Sequence, residues 1–194
     1  MRTSRCLHPF AAFIVLTAVS CAARPARVTA FHDPNMDFTL VKTAAVMPFV
    51  NLTPSQPAAE RVRDVFMTML QATGEIYVLP PGEVARGISR AAISNSAAPT
   101  PAETVALAKI VGADVIVTGT LREYGEVRSG SSAANVISLS LQMMESQTGR
   151  IVWSGSARRG GVDAADRLFG GGGEAMDVVT ERAVADLLDQ LFAQ

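Results

Sequence analysis

The segment 137–156 constrains the fold more strongly than any other part of the chain, because its residues alternate and the chain then reverses. Four apolar residues are separated by single serine or glutamine residues: Ile137, Leu139, Leu141 and Met143. This is the spacing of a β-strand with one buried face. The turn sequence Ser146–Gly149 leads into a second apolar segment, Arg150–Ser156. The pattern predicts a β-hairpin and therefore a sheet that lies against a core.

The rest of the chain predicts an α/β fold of the α+β type. Short apolar runs predict strands at 44–50, 76–79 and 113–124, and Pro48 marks an edge or a bulge in the first. Helical periodicity predicts helices at 57–73, 82–92, 101–111 and 174–192, the third beginning at the capping box Thr100–Glu103. We expect a single mixed sheet with helices packed on it, in the order β-α-β-α-α-β-β-β-α. A chain of 194 residues can bury one such core.

The N-terminus has the pattern of an export signal. Arg2 and Arg5 precede the apolar run Phe10–Leu16, and the small residue Ser20 precedes Cys21. The run is shorter than the roughly 20 apolar residues of a membrane-spanning helix. The stretch up to Cys21 resembles a bacterial lipoprotein signal, although these signals usually carry Leu three residues before the cysteine, where this chain has Ala18. An ordinary signal peptidase site, with Cys21 a bystander, is the alternative.

Cysteine usage favours lipid attachment at Cys21. The chain has two cysteines, and Cys6 would leave with the signal. Unmodified Cys21 would then be a lone thiol in an oxidising compartment, and acylation removes it. In lipoproteins of this kind, Ala22 after the cysteine implies the periplasmic face of the outer membrane. We therefore expect a signal peptide at 1–20, a tether at 21–41 and an α/β domain at 42–194.

The residues of the mature chain argue against an enzyme. His32 is its only histidine, and no free cysteine remains, so we expect no catalytic residues, no metal and no cofactor. The carboxylates Asp163, Asp166 and Glu174 lie in polar loops, where acids are ordinarily solvated. The alternative is an enzyme that uses a carboxylate such as Asp163 or Glu174. The 17 basic and 18 acidic residues nearly cancel, which disfavours a nucleic-acid partner.

Three residues are weak candidates for partner contacts. Arg158 and Arg159 lie beside a Gly-rich stretch that continues through Arg167, and arginine in exposed loops often contacts partners. A solvated loop is the alternative. Trp153, the only tryptophan, is either a half-buried packing residue or a partner anchor.

Three pieces of the chain resemble a known group of lipoproteins. They are Ala45–Val50, Ile110–Gly119 and Leu141–Gly155. The resemblance, over about residues 40–192, is to the periplasmic lipoproteins related to CsgG, LpoB and PelC. It implies a fold like the N-terminal domain of TolB, an outer-membrane lipid anchor, an envelope protein partner and possible ring-shaped homo-oligomers.

The resemblance leaves two functions open. The first is a non-catalytic accessory or assembly component of an envelope export machine of the curli or exopolysaccharide type. The second is a regulator that binds and activates a peptidoglycan synthase, as LpoB does. Gly125–Asn135 is predicted to be a loop with no lipid-facing alternation, so we expect no pore of the CsgG kind. The tether, of roughly 20 residues, spans at most about 66 Å, so we expect the domain to act near the membrane.

Overall fold

In the computed structural model, which describes residues 27–130, 132–161 and 173–193, seven strands form one mixed sheet. Its order is β1-β7-β6-β5-β2-β4, and β3 pairs with β5. The pairs among β2, β3, β4 and β5 are parallel, whereas β1, β5, β6 and β7 pair antiparallel. The strands are β1 (Arg27–His32), β2 (Thr43–Val46), β3 (Val50–Asn51), β4 (Tyr77–Val78), β5 (Val115–Ser129), β6 (Ser132–Glu145) and β7 (Ile151–Gly160).

Helices cover both faces of the sheet, and each face has its own core. The described helices are α1 (Ala58–Ala72), α2 (Pro81–Arg90), α3 (Pro101–Val111) and α4 (Met176–Phe192). The larger core lies beneath α1 and α4 and includes Phe66, Trp153 and Leu187. The smaller core, around Met47 and Leu107, lies beneath α2 and α3. The predicted fold class and element order are confirmed, with β1 and β3 as additional strands.

Local sequence signals form where they are predicted. The Thr100 side chain accepts a hydrogen bond from the Glu103 N–H at 3.3 Å, and the Glu103 carboxylate accepts one from the Thr100 N–H at 2.7 Å. The helix ends at Gly112, whose φ of +72° is left-handed and therefore suits glycine. The alternating strand at 137–143 is part of β6, with its four apolar side chains buried.

Two parts of the sheet differ from the prediction. The first strand is interrupted at Pro48, because proline has no N–H to donate to the ladder, and so it becomes β2 and β3. Most of the predicted loop Gly125–Asn135 is strand: β5 and β6 pair as far as Ser129 and Ser132. Gly130, with φ of +64°, lies in the turn of this hairpin, where short hairpin loops require positive φ.

The segment predicted to be a tether contains a strand. β1 lies within 21–41 and pairs antiparallel with β7, from Arg27 opposite Arg158 to His32 opposite Trp153. A 3-10 turn at Phe38–Leu40 follows. For residues 27–41 the structure therefore shows part of the sheet and its connection in place of a free linker. Residues 21–26 lie outside the described residues.

The sheet has two distinct ends. The first, called the hairpin end, contains the β5–β6 turn, and β1 begins about halfway along β6, at Arg27, and runs away from this end. The second, called the groove end, contains the β6–β7 turn Ser146–Gly149, the end of β1 at His32 and the end of α4. β6, with 14 residues, runs from one to the other, a distance of about 45 Å.

Candidate partner-binding surfaces

An apolar groove of about 410 Å³ lies at the groove end. The C-terminal ends of α1 and α4 form two of its walls, and the 3-10 turn forms a third. Its apolar lining consists of Phe38, Val41, Ile76, Met143, Leu191 and Phe192, and its polar lining of Thr39, Lys42, Thr73 and Glu75. Such a site can accept an apolar side chain or a short apolar segment of a partner, and the Lys42 cation and the Glu75 carboxylate can orient that segment.

The 3-10 turn holds Phe38 in the groove wall. The Asp37 carboxylate accepts hydrogen bonds from the Thr39 hydroxyl at 2.6 Å and the Thr39 N–H at 3.0 Å. These two bonds lower the pKa of Asp37. The Phe38 ring meets the His32 ring edge-to-face, with the ring centroids 5.6 Å apart. The His32 Nε2 lies 3.4 Å from the Leu191 carbonyl oxygen, so β1, the turn and α4 meet at this point.

The rim of the groove end is unusually apolar. Leu40 is 70% exposed, Tyr77 56% and Phe192 39%. Phe192 lines the groove, and Leu40 and Tyr77 are each adjacent in the chain to a lining residue. Single exposed apolar residues are ordinary, but several at one end of a domain are typical of a protein–protein contact. The groove end therefore has the composition of a binding surface.

A second surface is the face of the sheet that lies opposite α4. Three strands present polar side chains there, with Ser140 of β6 beside Ser156 of β7, and Ser156 beside Thr29 of β1. The two serine hydroxyls are hydrogen-bonded at 2.7 Å, and Arg122 donates to Ser140. A shallow depression of about 250 Å³ lies over this row. The alternation along 137–143 predicts this polar face, but nothing in that pattern identifies the face as a binding surface.

The predicted partner residues occupy different environments. Arg159 forms a two-pronged ion pair with Asp186 of α4, which raises the pKa of Arg159 and joins β7 to the helix. Arg158 lies on the opposite face and pairs with Glu123 at 2.7 Å, with about half of its side chain exposed. Arg158 is thus the more accessible of the two.

Trp153 is 1% exposed, which supports packing over partner contact. Its ring lies edge-on to that of His32, with the centroids 6.4 Å apart. Among the described residues, none accepts a hydrogen bond from its indole N–H.

The other candidates are either outside the described residues or solvent-facing. Cys21, Asp163, Asp166 and Arg167 lie outside them. Glu174 is exposed and paired with Arg182. Within the described part of the chain, no three His, Cys, Asp or Glu side chains converge to hold a metal ion. None of the helices described there is both long and apolar enough to cross a membrane.

Comparison with known proteins places the chain in a family. No curated protein sequence matches it. Its fold is similar to that of the PelC dodecamer from Paraburkholderia phytofirmans, with a TM-score of 0.56 and 16% identity over 87% of this chain and 99% of that one. Lipoprotein GNA1162 from Neisseria meningitidis has a TM-score of 0.56 and 18% identity, over 79% of this chain and 99% of that one.

The C-terminal domain of LpoB from Salmonella enterica is also similar, with a TM-score of 0.48 and 19% identity, over 65% of this chain and 86% of that one. At such identities these similarities concern the fold alone. The predicted resemblance to this group of lipoproteins is confirmed. Because residues 37–192, most of the chain, match the model of the GNA1162-like lipoproteins, the chain belongs to the GNA1162-like lipoprotein family.

Proposed function

We propose that this lipoprotein is anchored by Cys21 to the periplasmic face of the outer membrane. We further propose that it is a non-catalytic assembly component of an envelope export machine of the curli or exopolysaccharide type. Family membership over residues 37–192 supports the lipid anchor. In the part of the chain that the structure describes, the surfaces suited to function are an apolar groove and a polar sheet face, and both suit binding better than catalysis.

The observation that carries the proposal is the apolar groove end. Exposed Phe192 lines a groove that opens to solvent, and exposed Leu40 lies in the chain between the lining residues Thr39 and Val41. Covering such a surface is favourable by about 25 cal/mol per Å². A second copy of the chain or an envelope protein can supply that cover. The similar fold of PelC is that of a protein that forms a dodecamer, and this favours a ring of identical copies as the working hypothesis.

The mass of the lipidated, detergent-solubilised protein tests the proposal, measured by native mass spectrometry. We expect a closed oligomer of defined copy number. We also expect deletion of the gene to reduce export of a surface polymer. A monomer, together with unchanged export and an intact envelope in the deletion strain, would refute the proposal.

Two substitutions on one helix test the groove. Phe192→Asp places a charge at its rim, whereas Val178→Asp places the same charge on α4 at the hairpin end. The two native side chains are similarly exposed, at 39% and 37%. We expect Phe192→Asp to reduce the oligomer mass or the export, and Val178→Asp to leave both unchanged. Equal effects would exclude the groove as the binding surface.

A monomer that still affects the envelope would favour the alternative, a regulator of a peptidoglycan synthase. Crosslinking in cells, followed by identification of the crosslinked protein, distinguishes the two functions. If no synthase is recovered at native expression levels, the alternative fails.

A further inference from the structure

The direction in which β1 runs shows whether the chain enters the sheet from the side of the hairpin end or from the side of the groove end. Arg27 lies opposite Arg158, which lies opposite Ser138, and Ser138 lies opposite Glu123. These four residues form one row across the sheet, about halfway along β6 and two residues before the end of β7. β1 then runs away from that row and ends at His32, beside the last turn of α4. The N-terminal end of β1 therefore points toward the hairpin end of the sheet and its C-terminal end toward the groove end.

The connection from Cys21 to that row is short. Five residues lie between Cys21 and Arg27, and the six Cα–Cα steps that connect them span about 20 Å when fully extended. A lipid-bearing Cys21 would thus hold the row within about 20 Å of the membrane surface.

The β5–β6 hairpin projects from the same row by a similar distance. Gly130, in the turn that follows β5, lies seven residues past Glu123, which corresponds to about 23 Å. β7 ends earlier, at Gly160 opposite Val136, so the last pairs of the hairpin extend beyond their neighbour. The hairpin turn therefore lies about as far from the row as Cys21 does when the connecting chain is fully extended.

The composition of the hairpin tip suits a layer of lipid headgroups. The described residues nearest the turn are small and uncharged: Ser129, Gly130, Ser132 and Ala133. The nearest charges, Glu126 and Arg128, are paired with each other at 2.7 Å, so their approach to the membrane brings no unpaired charge.

We infer that the tip of the β5–β6 hairpin contacts the headgroup surface of the membrane in which Cys21 is anchored, and that the groove end faces away from it. The inference rests on the proposed lipid attachment. It adds an orientation: one end of the domain touches lipid, and the opposite end is presented to the partner.

Two single-cysteine variants at opposite ends of β6 test the orientation. Ser129→Cys places a thiol at the hairpin tip, and Gln147→Cys places one in the β6–β7 turn at the groove end. Acylation leaves Cys21 unreactive, so each variant of the mature chain carries one free thiol for a fluorophore. The labelled lipidated proteins are reconstituted into vesicles of phosphatidylethanolamine and phosphatidylglycerol that contain a lipid with a nitroxide-labelled headgroup.

We expect the nitroxide to quench most of the fluorescence at position 129 and to leave that at position 147 unchanged. Equal quenching, or stronger quenching at position 147, on protein that floats with the vesicles would overturn the orientation and leave the lipid anchor standing. Intact mass and flotation of the unlabelled protein test the anchor independently. Protein that lacks the acyl mass and does not float would overturn both.

Discussion

Replacing Gly155 with alanine is expected to destabilise the domain, because β7 and α4 leave no room for a methyl group there. An ideal Cβ at Gly155 lies 2.7 Å from Cζ2 of Trp153 and 2.9 Å from Cδ2 of Leu187. Both side chains are buried, with exposures of 1% and 0%. The indole is rigid, so relief requires a shift of α4, whose last turn forms a wall of the groove.

The magnitude follows from two opposing effects. Overpacking a tight core costs about 1–3 kcal/mol, whereas replacing glycine by alanine in a strand restores roughly 0.5–1 kcal/mol of backbone entropy. The expected net loss is about 1–2 kcal/mol in the free energy of unfolding, which lowers Tm by about 2–8 °C for a domain of this size.

Urea unfolding of the mature protein, followed by circular dichroism, measures this loss. Gly82→Ala is the control: its Cβ would lie an ordinary 3.6 Å from Arg86, in an exposed helical position. We expect that variant to be unchanged or more stable by up to about 1 kcal/mol.

A double variant tests the cause of the loss. Phenylalanine lacks the outer ring atoms that meet the new methyl group, so Trp153→Phe combined with Gly155→Ala should cost less than the sum of the single changes, by about 1 kcal/mol. Additive effects, or a Gly155→Ala variant as stable as the parent, would refute the packing argument.

Three further predictions concern charges and the anchor. Arg159→Ala removes an ion pair in which Asp186 is only 15% exposed, and it should lower the free energy of unfolding in urea by about 1–3 kcal/mol. Arg158→Ala, whose ion pair is exposed, should lower it by less than about 1 kcal/mol. Equal losses in the two variants would contradict this. Hydrogen bonds from the N-cap threonine of α3 lower the pKa of Glu103, so its stabilising effect is present above about pH 4 and is lost as the pH falls through the lowered pKa. Glu103→Gln should therefore show a smaller decrease in Tm between about pH 5 and 3 than the parent, and identical profiles would argue against the shift. Cys21→Ser should lack the acyl mass and remain in the aqueous fraction on detergent partitioning, and an unchanged partition would place the anchor elsewhere.

Elements encoded by local patterns were predicted correctly from the sequence. The apolar stripe of α1 lies against the core, with Val62, Phe66 and Leu70 buried, because helical periodicity by itself determines which face packs. The capping box at Thr100 also forms, since its partners are three residues apart. Such signals need no knowledge of the rest of the fold.

Elements that depend on distant partners were missed. β1 receives its hydrogen bonds from β7, some 130 residues later in the chain, and its own short sequence shows no alternation strong enough to identify it. The extension of the β5–β6 hairpin was predicted to be a loop because glycine and serine have low β-propensity. In the structure the two strands pair with each other, from Tyr124 opposite Ile137 to the turn.

The groove could not be predicted for a similar reason. Its wall combines Phe38, Ile76, Met143 and Leu191, which lie in four separate segments and share no spacing. The open polar face, by contrast, could be predicted from the sequence, because the alternation in β6 places Ser138 and Ser140 on the side opposite the core. The anchor at Cys21, outside the described residues, stays a prediction.

The presence of β1 changes what the proposed anchor can do. A free tether over 21–41 would reach about 66 Å and would leave the orientation of the domain open. With Arg27 already in the sheet, the connection from Cys21 has six Cα–Cα steps, and its maximum reach falls to about 20 Å. A partner embedded in a second, distant membrane would then have to bring its own extension to the groove end, whereas copies of this chain anchored side by side already share one height and one orientation. The short connection therefore favours assembly at the outer membrane over activation of a distant synthase.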